Sequence, residues 1–339
     1  MNSHSNPSRI SSAPLTPAAC PICRSSDISA CPPGRDRLFG LARGSFSLFR
    51  CTSCGCIYLD PHPSETALAK FYPAEYWWSE EPGTGSGPAR LFRNLEKSYR
   101  EFVIADHARF LDFCARKNGT GGKSLLDIGC GSGSFLHSAQ AHGFIPHGMD
   151  MSARAVDVVR KQYGYPMRQG GIGQDVWEGQ QFDFVTMFHV LEHLPDPRLG
   201  LKYAGRLLKP GGTLVIQVPN IVSLQARIFG NRWYGIDVPR HVINFSPKAL
   251  GLLFQEMGYE YHLVSRFSLR DNPASIASSL APWMDPVGRK GRQSKSGPVW
   301  NGLLECAYFG LFLLVLPAAY LESACGMGGT IWAYARLKR

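Results

Sequence analysis

Lys123-Ser-Leu-Leu-Asp-Ile-Gly-Cys-Gly-Ser-Gly-Ser-Phe-Leu136 decides the fold. Leu125, Leu126 and Ile128 read as a short buried strand that runs into a glycine-rich turn and the start of a helix. Gly129, Gly131 and Gly133 let the chain turn sharply and let a ligand approach with no Cβ in the way. Ser134 stands where a helix cap is expected. The pattern is the first βα turn of a doubly wound sheet, where ligands sit beyond the carboxyl ends of the strands. A dinucleotide fingerprint requires G-x-G-x-x-G, whereas this turn reads G-x-G-x-G with Ser134 at the sixth position. Asp127, two residues before the first glycine, occupies a place that stays apolar in dinucleotide-binding strands.

The segment resembles motif I of class I S-adenosylmethionine (SAM)-dependent methyltransferases. The resemblance implies that the backbone of Gly129, Gly131 and Gly133 holds the methionine end of the cofactor and that Asp127 helps hold its amino group. SAM carries a sulfonium and no phosphate, so a carboxylate near the turn suits it better than it suits a pyrophosphate. Asp150 ends Ile145-Pro-His-Gly-Met-Asp150, 21 residues after Gly129, where an acidic residue accepts both ribose hydroxyls. A strand-end Asp capping residues 152–163 is the plainer alternative. Met151 and His189 are placed beside the same cofactor. Phe182–Phe188 reads as strand four, Leu207–Pro219 as a helix end, a turn and strand five, and Gly258–Phe267 as strand six. Gly329–Ala335 is expected antiparallel beside strand six. The fold class is therefore α/β, a seven-stranded doubly wound (Rossmann-like) methyltransferase sheet, and the resemblance covers about residues 95–270 plus the extreme C-terminus.

The chain has 339 residues, 44% hydrophobic and 18% charged, which marks it as globular. Its net charge of +10 suits nucleic acid or an anionic membrane. No recognition helix or RNA-binding motif is visible, so nucleic acid is the weaker partner. Residues 1–16 form a Ser/Pro-rich tail without an apolar export core, which places the ten cysteines in a reducing cytoplasm. Four of them form Cys20-Pro-Ile-Cys23 and Cys51-Thr-Ser-Cys54, two knuckles 27 residues apart, which read as a structural zinc site with a folding role. Cys56 is a spare thiol able to compete with Cys54. A similar N-terminal zinc ribbon occurs in the sugar and natural-product methyltransferases that this chain resembles. The chain thus divides into a disordered tail (1–16), a zinc ribbon (17–60), a linker with a short helix (61–94), the methyltransferase domain (95–270), an insertion (271–327) and the last strand (328–339).

Phe188-His-Val-Leu-Glu-His-Leu-Pro-Asp196 holds the acceptor-side chemistry. On a helical turn, His189, Glu192 and His193 would share one face. The Glu-His pair resembles that of ubiquinone-pathway O-methyltransferases, in which a Glu-x-x-Glu-His set is associated with a divalent metal. Here His189 replaces the first Glu, and imidazoles would favour zinc, iron or nickel over magnesium. The alternative is that Glu192 and His193 hydrogen-bond each other and shape the pocket floor. His193 is the first candidate general base, because an imidazole titrates near neutrality. His241, in an Arg-His-x-x-x-Phe-Ser-Pro segment, is the second. Tyr72, Tyr76 and Trp77 either line an acceptor pocket or pack a domain interface, and packing is the commoner use. The expected reaction is methyl transfer from SAM to a small-molecule or lipid-linked acceptor such as a sugar, glycolipid precursor or quinone-like lipid. Two other classes stay open, a non-catalytic SAM-binding regulator and a zinc-ribbon nucleic-acid methyltransferase.

In the insertion, Gly288–Lys295 is a flexible basic run, and residues 306–321 carry no charge. That stretch is short for a span, and a chain that must return to complete its sheet cannot end across a bilayer. A helix docked on the domain, or one in peripheral membrane contact through residues 299–322, are the two readings.

Overall fold

The computed structural model describes residues 19–73, 88–292 and 297–338. The tail 1–16, Tyr76, Trp77 and the end of the basic run fall outside them. Two sheets organise the chain. The larger follows the order β10-β11-β8-β7-β4-β5-β6, built from β4 (Ser124–Ile128), β5 (Ile145–Asp150), β6 (Met167–Gln169), β7 (Phe182–Phe188), β8 (Leu208–Pro219), β10 (Tyr259–Ser265) and β11 (Thr330–Leu337). β5, β4, β7 and β8 pair in parallel, and β11 enters antiparallel between β8 and β10. The strands read as near-continuous apolar runs because both faces are covered; Leu125, Leu126, Phe184, Val185, Leu214 and Ile216 are fully buried. The order turns outward from β4 in both directions, which opens a crevice at its carboxyl end.

The helices start where the sequence caps them. Asp196 caps α5 (Pro197–Arg206) with Pro197 at its first turn, and Ser246 caps α7 (Pro247–Glu256) in the same way. Ser152 caps α4 (Ala153–Tyr163). Ser134 does not cap. Gly133, at φ 73°, is the N-cap of α3 (Ser134–Ala141), and the Ser134 Oγ instead sits 2.8 Å from Ser132 Oγ. α2 (Pro88–Asn118) precedes β4 and packs against α3.

The smaller sheet, β1-β2-β3-β9, comprises β1 (Ile28–Gly34), β2 (Phe46–Cys51), β3 (Ile57–Leu59) and β9 (Ile243–Asn244). Its fourth strand comes from the segment before α7, so the ribbon shares a sheet with the methyltransferase region. Two residues carry no alternation pattern, and β9 was therefore invisible in the sequence. Ser246 Oγ donates to Cys54 O at 2.5 Å, and Arg198 donates to the carbonyls of Pro21 and Ile22.

Two corrections concern the insertion, which folds as α8 (Asp271–Leu280), α9 (Pro286–Gly291) and α10 (Pro298–Ala324). The start of the basic run is helical rather than flexible, and Arg289 is buried against Glu305 at 3.1 Å. Residues 306–321 lie inside a 27-residue helix. Phe312, Val315, Ala319 and Glu322 form its buried stripe, while Trp300, Leu303, Leu313, Leu314, Tyr320 and Leu321 are exposed. By length and composition the helix is apolar enough to cross a membrane. Because β11 follows it and pairs with β8, both helix ends belong to the same body.

Candidate active site

The three glycines of the turn all have positive φ, yet they are glycines for different reasons. A Cβ on Gly129 would meet Val190 at 2.7 Å, and one on Gly133 would meet Val159 at 2.8 Å. Those two are set by packing. A Cβ on Gly131 would meet nothing within 4 Å, so its face is the open one. Asp150, buried at the end of β5, closes the turn: its Oδ2 accepts from Gly131 N at 3.0 Å and its Oδ1 from Ser152 N at 2.8 Å. It therefore braces both the glycine turn and Ser152, the residue that caps α4. Burial raises its pKa. Asp127 lies within β4 and accepts from Thr186 Oγ1 at 2.6 Å. Burial, and then the charge of Asp150, push its carboxyl up to about 7. Two buried carboxylates with raised pKa values and no cation between them form a place where a positive ligand is electrostatically welcome. Met151 is 69% exposed beside Gly171, where it offers an apolar edge.

Opposite this turn, the chain leaves β7 at Phe188. His189 adopts φ 55°, a left-handed conformation uncommon for a side-chain-bearing residue. The helical turn is a short 3₁₀ turn over Leu191–His193, so His189 is outside it. The single shared face expected for His189, Glu192 and His193 is not formed. Instead His189 bridges two carboxylates, with Nδ1 at 3.2 Å from Glu192 Oε1 and Nε2 at 3.4 Å from Asp271 Oδ2. Burial opposes its charge, but these two anions hold its pKa up to about 9. Glu192 is fully buried; despite that burial, His189 keeps it below the ordinary carboxylate range. Glu192 and His193 do not hydrogen-bond each other in the described contacts.

His193 and His241 come together from separate segments, with ring centroids 4.7 Å apart. His193 Nδ1 is 3.0 Å from Arg240 O and 3.0 Å from Tyr72 OH. A carbonyl only accepts, so Nδ1 carries the proton and Nε2 keeps a lone pair. His241 Nδ1 donates to Gly235 O at 2.8 Å in the same way. Burial, and then the charge of His241, lower the pKa of His193 to about 4, so it is neutral at pH 7. Tyr72 thus contacts the candidate base rather than serving only as packing.

Three contributors escaped the sequence. Asp271 accepts from Gln217 Nε2 at 2.7 Å and from Ser268 Oγ at 2.6 Å, and Gln217 Oε1 accepts from His107 Nε2 at 2.9 Å. This network fixes His189 from below. Arg240 is fully buried between Asp237 at 2.6 Å and Asp36 of the ribbon at 2.8 Å, which sets the carbonyl that orients His193. The adjacency Arg240-His241 was the one signal available; Asp36 sits in an unpatterned loop, and Asp271 opens α8 with no motif around it.

The metal implied by the resemblance was tested against these donors. His189 spends Nδ1 on Glu192 Oε1 and turns Nε2 toward Asp271, away from His193, so it does not complete the set His189/Glu192/His193. Glu192, His193 and His241 do bring donor atoms within 4.8 Å of one another. In the ribbon, the sulfurs of Cys20, Cys23, Cys51 and Cys54 also lie within 4.8 Å of one another, which fits a structural zinc ion. Cys56 joins them, 3.5 Å from Cys20 Sγ and 3.4 Å from Cys54 Sγ. Hydrogen bonds with Cys54 and Cys56 pull the Cys20 thiol well below its ordinary range.

The chain is similar to known proteins over much of its length. Residues 99–264 match the family described as a methyltransferase domain. The Ubiquinone biosynthesis O-methyltransferase of Coxiella burnetii is 32% identical over 190 residues, covering 54% of this chain and 71% of that protein. The enzyme of the same name from Klebsiella pneumoniae is 28% identical over 239 residues, covering 66% of this chain and 91% of that one. Among solved structures, the plantazolicin methyltransferase BamL, with a desmethyl analogue and SAH, matches at TM-score 0.45 and 14% identity, covering 77% of this chain and 93% of BamL.

Proposed function

Because the chain belongs to the SAM-dependent methyltransferases, with SAM as its methyl donor, we propose that it methylates a hydroxyl of a small-molecule or lipid-linked acceptor, with His193 as the general base. Bound SAM supplies an electrophilic methyl group; the chain's task is to align it with the acceptor oxygen and exclude water. Gly131 presents open backbone for the methionine end, Asp127 faces its ammonium group, and Asp150 accepts the ribose hydroxyls. Met151 and His189 border the same ligand, the first as an apolar edge and the second as a fixed cation held by Glu192 and Asp271.

The observation that carries the base assignment is the tautomer of His193. Its Nδ1–H is committed to Arg240 O, which leaves Nε2 neutral and able to take a proton. His241, tautomerically fixed by Gly235 O, is the second candidate. A sugar, glycolipid precursor or quinone-like lipid suits this wall. The exposed apolar side of α10 supports peripheral contact with a membrane, through which a lipid-linked acceptor would reach the site. His193→Ala tests the base: turnover with a hydroxylated acceptor panel should collapse while SAM affinity, by calorimetry, stays within a few-fold. Retained turnover would remove His193 from the chemistry. Flotation on liposomes, comparing wild type with Leu313→Glu/Leu314→Glu, tests the membrane contact; these two positions avoid the buried stripe, so loss of flotation would not reflect unfolding.

A further inference from the structure

A second cleft is lined by Tyr234, Ile236, Asp237 and Val238, the loop that runs into Arg240 and His241. Arg35 and Arg37 reach it from the ribbon, Arg232 from the turn after α6 (Leu224–Phe229), and Arg292 from the end of α9. Several exposed arginines elsewhere pair with carboxylates: Arg24 with Glu256, Arg109 with Asp106, Arg206 with Asp175. None of the four in the cleft does among the described residues. Arg292 donates to the carbonyls of Arg37, Leu38 and Pro282, and among the described residues no hydrogen bond or ion pair engages the side chains of Arg35, Arg37 or Arg232. Two carboxylates line the same cleft, and both are already committed. Asp237 is held by Arg240, and Asp285 accepts from Ser278 Oγ and from Gly288 N. The pKa of Arg37 is lowered chiefly by burial and, to a lesser degree, by the like charge of Arg232.

We propose that this cleft binds a phosphate or pyrophosphate group. Three uncommitted guanidinium groups, with the charge of Arg292 beside them, exceed what one singly charged carboxylate needs, and they suit the several oxygens of a phosphoryl group. The neighbourhood narrows the ligand further. Pro282 forms one wall, and next to it Trp283 is 63% exposed and Leu280 48% exposed, leading to the apolar side of α10. Asp237 lines the cleft and also clamps Arg240, whose carbonyl orients His193. A phosphorylated head in the cleft therefore places an attached apolar chain toward α8 and α10, and the group to be methylated toward the histidine wall. The phosphate contact itself is independent of the base assignment; only the placement of the methylated group rests on it.

The test titrates the full chain with inorganic pyrophosphate by calorimetry at low ionic strength, with and without SAM. Wild type should bind one pyrophosphate per chain. Arg37→Ala/Arg232→Ala should weaken it by at least about tenfold, as expected when two charge-assisted contacts go, whereas Arg109→Ala should not. Single Arg37→Gln and Arg232→Gln variants give the same reading at several-fold if the double variant fails to fold, with SAM affinity as the check on folding. A parallel arm uses vesicles of phosphatidylglycerol and of phosphatidylcholine. Competition between anionic vesicles and pyrophosphate identifies a lipid headgroup, and pyrophosphate binding without vesicle binding identifies a soluble phosphate ester. No binding, or binding unchanged in the arginine variants, overturns the proposal. Inactivity or retained activity of His193→Ala leaves it untouched, so the two readings fail separately.

Discussion

The two walls of the active-site crevice solve opposite electrostatic problems. The cofactor wall is one contiguous turn with Asp150 behind it, and burial raises the pKa of both its carboxylates, that of Asp127 to about 7, with no basic side chain paired to either among the described residues. The acceptor wall collects three histidines, Glu192 and Asp271 from distant segments, and there a cationic His189 sits between two carboxylates and offsets part of their charge. One wall awaits a cation; the other carries its own and keeps a free imidazole lone pair. The difference teaches that cofactor affinity should respond to single substitutions in the turn, whereas turnover should respond to residues remote in sequence.

The largest effect to be expected separates the walls outright. His193→Ala should lower kcat by about 10²–10⁴-fold, the usual worth of a positioned base, with SAM binding nearly unchanged. Since the base acts when neutral, kcat should be full well above pH 4, about half-maximal near pH 4 and fall further below it; a pH profile that stays flat through pH 4 and below in a still-folded enzyme would remove this assignment. Gly131→Val should reduce SAM affinity by more than about 100-fold, because its side chain would enter ligand space rather than core, with some loss of stability from the positive φ of 53°. Gly133→Val, which adds a collision with Val159 to its own positive φ, should lower stability further. Equal behaviour of the two glycine variants would erase the distinction.

Asp150→Ala should cost about 2–3 kcal/mol of SAM affinity if two charge-assisted hydrogen bonds go. In the ribbon, Cys20→Ser or Cys51→Ser should lose one zinc ion per chain by elemental analysis. Cys54→Ser should retain more of it, because the Cys56 sulfur stands 3.5 Å from Cys20. SAM affinity should persist in all of these proteins, but turnover should fall with the metal, since β9 and Arg240 tie the ribbon to the acceptor wall. The smallest effect concerns pH. Asp127 titrates near 7 in the free protein, and a cationic ligand favours its ionised form. SAM affinity should therefore rise a few-fold as pH increases through 7 and weaken below it, with proton release on binding detectable in buffers of different ionisation enthalpy.

What the sequence determined by itself was everything held within one stretch of chain. The glycine turn, Asp150 at strand end, the paired cysteine knuckles, the capped helices and the apolar strands were legible because their causes are local: φ sign, cap chemistry, periodicity and ligand spacing. The seven-stranded sheet, including the antiparallel last strand, followed from those elements. Tertiary structure decided what local rules leave free. It took His189 off the turn it was expected to share with Glu192 and His193, because Asp271 on α8 offered its second nitrogen a carboxylate. It also gave the ribbon its fourth strand from residues 243–244 and passed Asp36 to Arg240. A buried charge must find its counter-charge wherever the fold brings one, and nothing in the residues beside it records which segment that will be.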